Sequence, residues 1–477
     1  MSGALTKAPR RSRPPSDRRA PGVLVLTALA TAGLAVAVQQ SMVIPLLPTL
    51  MTRFEVSMTA VTWVFTASLL AGAVATPLLT RFGDMYGKRR MILLCLAMLF
   101  AGSVVCALST TLAVLIAGRA LQGVSVAMIP LAIGSIRDAF PPERVTTAIG
   151  VLSATMGVGG TLGMIVTGLI ADRTPSHAPV FWISALLAIT VLVLIARSAP
   201  ESGQRAGGRP DAPGALLLAA CLVCLLLAIS QGNRWGWSSA AVAGLFAAAA
   251  VLGAIWVAVE LRVSAPLVKM DLLVGRRSMP ANIASLLLGF SMYAMFTLIA
   301  GFIQAPRETV GYGMSGSVLD VGLYMLPSTV TMLVSSTLSG RVSARLGPAL
   351  TLAAGSLVAA LSYGWIAVAN AHAYDMLVFT ALQGAGFGIA YAALGTLAVQ
   401  HVPMDQSGIA SGINALVRTT GGSIAGAATA AVLAASTIAG TSVPTLHAYV
   451  VCFWIGALGA LLAAAVALYS ALRDRRA

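Results

Sequence analysis

Charge is scarce in this chain of 477 residues, and the few ionic side chains among apolar ones carry most of its chemical potential. The run Thr80-Arg81-Phe82-Gly83-Asp84-Met85-Tyr86-Gly87-Lys88-Arg89-Arg90 sets a lone carboxylate among cations. An acid so placed can accept hydrogen bonds from a helix start or pair with a nearby cation. Arg119 and Arg418 lie inside apolar stretches. A charge there costs about 3 kcal/mol on insertion scales unless it faces a polar cavity or a partner, so function is the default reading. Gln122 shares a helix face with Arg119, and Asn414 stands one turn before Arg418. The simpler alternative for either arginine is a tie to backbone carbonyls. Gln39, Gln40 and Ser41 precede Pro45 and Pro48 in the first apolar run, and Gln304 and Asp320 flank a later loop. Asp320 is the carboxylate best placed for protonation near a span, against the reading of a helix N-terminal acid favoured by the dipole.

The elements that position these residues are membrane helices. The chain is 58% hydrophobic and 9% charged, with a mean hydropathy of +0.89, too little charge to cover a soluble protein of this length. Apolar runs long enough to cross a bilayer, about 20 residues each, are expected near 22–46, 58–80, 90–108, 112–136, 145–170, 178–197, 213–232, 238–260, 278–303, 316–338, 347–370, 374–399, 407–436 and 446–470. The fold class is therefore all-α and integral to the membrane, with about fourteen transmembrane helices. Arg53, Arg173, Arg234 and Arg307 fall in loops on one side, and the other cations outside the spans collect in the tails and alternate loops. That bias places both termini in the cytoplasm. It also accounts for the net charge of +15 better than nucleic-acid binding does. No cleavable signal is expected, because the first apolar run exceeds a signal-peptide core. The CxxC of Cys221 and Cys224 lies on an apolar helix with no histidine nearby and reads as packing; no metal or cofactor is expected.

Internal repetition divides the chain. Ala120-Leu121-Gln122-Gly123 recurs as Ala381-Leu382-Gln383-Gly384, Gly134 as Gly395, Gly150 as Gly412, and Gly159-Gly160 as Gly421-Gly422. A run Gly340-Arg341-Val342-Ser343-Ala344-Arg345-Leu346-Gly347 repeats the first charged loop. The offset of 260–262 residues, with loops on the same side, indicates two parallel-repeat bundles of six helices. The expected organisation is a basic tail (1–20), a first bundle (21–197), a linker (198–212), a two-helix insert (213–260), a second linker (261–277), a second bundle (278–470) and a short tail (471–477). Gly123, Gly159, Gly160, Gly163, Gly421 and Gly422 are expected to let helices approach closely.

These residues resemble the major facilitator superfamily, specifically its fourteen-span drug:proton antiporter family. Asp84, Gly87, Lys88 and Arg89 stand in register with that superfamily's loop signature Gly-x-Leu-Ala-Asp-Arg-x-Gly-Arg-Lys, which the chain leaves at Thr80, Gly83 and Met85. Arg119 to Gly123 is similar to the fourth-span signature Arg-x-x-Gln-Gly, and Asp138 to Arg144 to the next loop. Glu260-Leu261-Arg262 with Pro266-Leu267 resembles the end of the eighth span, and Asn414 to Gly422 the thirteenth. The antiporter signature Gly-Pro-x-x-Gly-Gly is met in part, with Gly160 in place of the proline and Met164 in place of the last glycine. An aspartate common in the family's first span is Gln39 here.

The resemblance implies export of small hydrophobic organic molecules by proton antiport, driven by the proton-motive force, with alternating access in a monomer of the cell membrane. It assigns Arg119 and Gln122 to proton coupling, with Arg418, Asn414, Gln39, Gln40, Gln304 and Asp320 as coupling or cavity groups. Asp84, Gly87, Lys88, Arg89, Asp138 and Arg144 would form a conformational latch, one-sided because Ala344 replaces the acid in the second copy. A cavity with embedded arginines and no deep carboxylate should prefer neutral or anionic amphipaths to lipophilic cations. The rivals are a superfamily importer working by proton symport or uniport and a polytopic membrane enzyme. The four scattered histidines and the lack of nucleophile–base spacing argue against the enzyme.

Overall fold

The computed structural model describes residues 23–43, 46–56, 58–61, 63–171, 173, 174, 176–198, 211–263, 266, 268, 270–400, 402–438 and 443–474. Among them the architecture is helical, apart from an isolated bridge between Thr437 and Pro444. In hydrocarbon every backbone N–H and C=O must be satisfied within its own segment, which leaves a single apolar run no alternative to the helix.

Among the described residues, thirteen helices are long and apolar enough to span a bilayer. In the first half they are α1 (Val23–Ser41), α2 (Trp63–Tyr86), α3 (Lys88–Ala107), α4 (Leu112–Ala139), α5 (Pro142–Ala171) and α6 (Ala178–Ser198). The insert supplies α7 (Ala212–Trp235) and α8 (Ala240–Glu260). The second half holds α9 (Met279–Gln304), α10 (Leu319–Leu346), α11 (Pro348–Val368), α12 (Ala373–Gln400), α13 (Ser407–Ala435) and α14 (Leu446–Asp474). Of these, α13 is the long helix outside the apolar thirteen: its 29 residues are rich in Gly, Ser and Thr and include Asn414 and Arg418. A helix packed between others can carry such residues, whereas a lipid-facing one cannot.

Two expected loops are helix instead. Residues 80–86 continue α2 to Tyr86, α3 starts at Lys88, and Gly87 alone breaks the run with φ of 114°. Likewise α10 runs to Leu346 and breaks at Gly347, φ 82°. Both angles lie where an L side chain is strained, so glycine makes the corner. The helices outlast the hydrocarbon, and the charge marks the membrane edge rather than the helix end. The linker expected at 198–212 falls largely outside the described residues, as do most of the two tails. The linker at 261–277 contains a short helix, Met270–Val274.

The repeat is visible in the packing. In the first half α1 lies on α5 and α6, and α4 lies on α2 and α3, with α3 also against α6. In the second half α9 lies on α13 and α14, and α12 lies on α10 and α11, with α11 also against α14. The halves meet along two seams, α2 with α13 and α5 with α10. The insert helices pack on each other, and α7 also touches α2 and α13. There Leu218, Leu222 and Trp256 bury themselves with Ile409 and Ile413, covering one seam from outside. Cys221 faces the Ala249 carbonyl at 3.3 Å within the α7–α8 pair.

Candidate functional site

The ends of α2, α10 and α14 and the start of α3 carry Arg81, Lys88, Arg89, Arg341, Arg345 and Arg473, and define a basic face. On this face the α2–α13 seam is closed by Asp84. Its Oδ1 accepts from the Gly408 amide at 3.0 Å, and its Oδ2 accepts from the Ile409 amide at 2.8 Å. These are first-turn N–H groups of α13, which no carbonyl of that helix can reach and which carry its positive dipole end. Residue 408 must be small for this to happen, since a Cβ there would stand 2.5 Å from Asp84 Oδ1. Lys88 Nζ lies 3.2 Å from Asp84 Oδ1 and 2.7 Å from Asp138 Oδ2 at the end of α4. Both Asp84 and Lys88 are fully buried, so the carboxylate is neutralised and hydrogen-bonded as a buried charge must be. Arg137 adds a bond to the Val402 carbonyl just before α13.

Arg119 is 1% exposed and sits in the closed interior of the first half. Its Nε donates to the Val64 carbonyl at 3.1 Å. Its Nη1 donates to the Gln122 Oε1 at 2.8 Å and to the Gln39 carbonyl at 3.4 Å. Gln122 Nε2 passes the chain on to Ser103 Oγ at 2.7 Å, which lies 3.0 Å from Ser184 Oγ. Gln39 Nε2 also donates to Gln122 Oε1, at 3.2 Å. One guanidinium thus links α1, α2, α3, α4 and α6. Among the described residues it forms no ion pair with a carboxylate.

A cavity with about 600 Å³ of empty space, its open mouth included, lies between the halves at mid-depth. Gln40 of α1, Thr76 of α2, Ile129 of α4, Met156 of α5, Tyr293 of α9 and Arg418 of α13 contribute to its wall. Among the described residues Arg418 is the sole ionic side chain in that wall, and its guanidinium lies over the Tyr391 ring at 5.3 Å. Two pseudo-symmetric six-helix bundles around one central cavity, latched at one end, form the frame of an alternating-access carrier.

The sequence profile of the Major Facilitator Superfamily matches residues 29–427. The chain belongs to the major facilitator superfamily. It is 29% identical over 423 residues to the tetracenomycin C resistance and export protein of Streptomyces glaucescens, covering 87% of this chain and 76% of that one. It is 30% identical over 395 residues to the multidrug resistance protein Stp of Mycobacterium tuberculosis strain CDC 1551, covering 82% and 72%. A probable actinorhodin transporter of Streptomyces coelicolor is 30% identical over 380 residues, covering 76% of this chain and 64% of that protein. The crystal structure of the human organic anion transporter MFSD10 (TETRAN) shares the fold, with a TM-score of 0.68 at 16% identity, covering 95% of this chain and all of that one.

Within this major facilitator protein, the expected site residues fall into separate places. Asp84, Gly87, Lys88 and Asp138 gather at the basic-face closure. Arg89 instead donates to the Ala196 carbonyl at the end of α6, and Arg144 stands exposed on the first turn of α5. Arg119, Gln122 and Gln39 form one buried network and do not line the cavity, whereas Gln40 and Arg418 do. Asn414, expected beside the cavity, ties α13 to α9: its Nδ2 donates to the Ala281 carbonyl at 3.2 Å and its Oδ1 accepts from Ser285 at 3.1 Å. Gln304 is exposed and donates to the Ala300 carbonyl of its own helix. Asp320 forms a capping box with Ser317 at the start of the short helix Val318–Tyr324. Asp320 thereby meets the helix N-terminal reading, while Asn414 and Gln304 each donate to a backbone carbonyl.

A Cβ at Gly123 would stand 2.3 Å from the Ser68 carbonyl, at Gly159 2.5 Å from Ala37 Cβ, at Gly163 2.0 Å from Ser41 Oγ, and at Gly421 2.0 Å from the Leu286 carbonyl. A Cβ at Gly422 would stand 2.4 Å from Tyr293 Cδ2, so the glycine makes room for that ring. Gly160 departs from expectation: a Cβ there would meet nothing within 4 Å, so no helix presses on it. Tyr391, Ser103, Ser184 and Gly408 were not anticipated. Each is an ordinary residue in an apolar or small-residue run, and only its distant partner distinguishes it.

Proposed function

We propose that this protein exports small, largely hydrophobic organic molecules across the cell membrane by proton antiport, using alternating access around the cavity between its halves. The observation that carries the reading is the pairing of that cavity with a buried ionic closure which, among the described residues, is found on the basic face. If the basic face is cytoplasmic, as the distribution of cations favours, this conformation is closed to the cytoplasm. Outward release is compatible with this state, whereas rebinding from the cytoplasm requires Asp84 to leave the start of α13. The relatives named as export and resistance proteins support the direction of transport, and membership of a transporter superfamily supports transport over catalysis. Both termini would be cytoplasmic, with protons as the coupling ion and the proton-motive force as the energy source.

An efflux-deficient bacterial host expressing the chain tests this. The expected result is raised tolerance to hydrophobic antibiotics and dyes, abolished by a protonophore. Accumulation of those compounds driven by expression would reverse the direction and favour the importer. Single cysteines at Arg81 and Arg341 should react only with reagents that enter the cytoplasm; labelling from outside would invert the topology.

A further inference from the structure

We infer that Arg418 is the anion-binding group of the central cavity and selects amphipathic aromatic substrates bearing a carboxylate or an ionised phenol. The inference deepens the export reading and takes from it only that the cavity holds a substrate. Arg418 lies about 16 Å into α13 at 1.5 Å per residue, far from both ends of the helix. Its backbone and stem press on α9 because residue 289 is glycine: a Cβ there would stand 2.1 Å from the Arg418 carbonyl oxygen and 2.8 Å from its Cγ. The guanidinium then lies over Tyr391. That ring is held by its hydroxyl, which donates to the Leu288 carbonyl at 3.2 Å, and by stacking on Phe387.

Several features point to an anion. Arg418 is the one ionic side chain in the cavity wall. Among the described residues no carboxylate forms an ion pair with it, and its guanidinium meets a ring rather than an oxygen. Arg119, more deeply buried, directs its donors to three oxygens. A planar fork with open donors matches a carboxylate or phenolate, and the neighbouring Tyr293 and Met156 offer a surface to the attached rings. A lipophilic cation fares badly here. The aromatic face that would attract it already carries the protein's own cation, and the like charge repels it.

The test uses the purified full-length chain in lipid nanodiscs, without a proton gradient. It is titrated with three fluorescent probes sharing one ring system: anthracene-2-carboxylate, its methyl ester and the trimethylammoniomethyl analogue. The carboxylate should bind at least about tenfold more tightly than the ammonium probe. Arg418→Gln should weaken the carboxylate about tenfold or more and the ester less than about twofold; Arg418→Lys, which keeps the charge but not the fork, should fall between. Equal weakening of carboxylate and ester would make Arg418 a packing residue. Preference for the ammonium probe, or binding of none of the three by a monodisperse wild-type chain, would also overturn the assignment. No flux is measured, so these outcomes are independent of direction and energy source. A resistance phenotype insensitive to protonophore would instead sink the antiport reading and leave the site standing.

Discussion

In the first half, Gly123 of α4 lies against the Ser68 carbonyl of α2; in the second, Gly384 of α12 lies against the Ser328 carbonyl of α10 in the same manner. One turn earlier the copies differ. Arg119 gathers five helices through a buried polar network, whereas Thr380 at the repeat position bonds only to the Leu377 carbonyl of its own helix, at 3.1 Å. Its neighbour Phe379 joins Tyr363 and Phe453 in an aromatic cluster. The seams differ in the same way. At the basic face α2–α13 is tied by the buried charge of Asp84, while α5–α10 is closed by close approach. A Cβ at Gly340 would overlap Thr147 at 1.8 Å, and one at Gly150 would stand 2.3 Å from the Ser336 carbonyl. The repeat therefore keeps backbone geometry and places its polar chemistry differently in the two copies.

The lone latch has a geometric cause. At the repeat offset of 260–262 residues, the amides of Gly408 and Ile409 correspond to positions near Thr146 and Thr147. But α5 begins at Pro142, about one turn earlier than α13 does at Ser407. The corresponding amides are already bonded inside α5, and an acid at position 344 would find no free donor.

The largest expected effect separates the two fourth-span copies. Arg119→Ala removes the charged hydrogen bonds that tie α4 to the Val64 and Gln39 carbonyls, each worth about 1.5–3 kcal/mol. Transport should fall more than about a hundredfold, with some loss of thermal stability. Thr380→Ala should change it less than about twofold. Similar losses at both positions would erase the contrast. Next comes the latch pair: Asp84→Asn removes charge-assisted bonds of about 1.5–3 kcal/mol each. Transport should drop about tenfold or more at near-normal expression, and a cysteine at Ser407 should become accessible to water-soluble reagents. Ala344→Asp, lacking free amides to meet, should shift transport less than about twofold. A gain of closure on the second seam would break the explanation by helix start. In the packed seam, Gly340→Val should lower the melting temperature through an overlap worth about 1–3 kcal/mol. The smallest effect belongs to Gly160→Ala, which meets open space and should leave both stability and transport unchanged.

Much of this was legible from residue order because a membrane simplifies the problem. Apolar runs had to be helices, small residues at a fixed offset had to be one packing plan used twice, and the three-residue spacing of Arg119 and Gln122 gave their shared face. The reading failed where hydropathy stops and the helix does not. Residues 80–86 are charged because they leave the hydrocarbon, yet they remain helical and place Asp84 on the last turn of α2. For Asn414 and Gln304 residue order leaves the role open, since a polar residue near a span looks the same whether it lines a cavity or satisfies a neighbouring carbonyl, whereas Asp320 meets the helix N-terminal alternative.

Sequence alone determined the helical nature of the apolar runs, the internal repeat at a fixed offset and the presence of two embedded cations, because each follows from transfer free energy and periodicity along the chain. Only the tertiary structure decided what those cations face. Asp84 meets amides 324 and 325 residues away, Arg119 is enclosed by oxygens from its own half, and Arg418 is left over an aromatic ring at the cavity wall. A charge is defined by its surroundings, and in a helical bundle those come from other helices, whose approach no local pattern records.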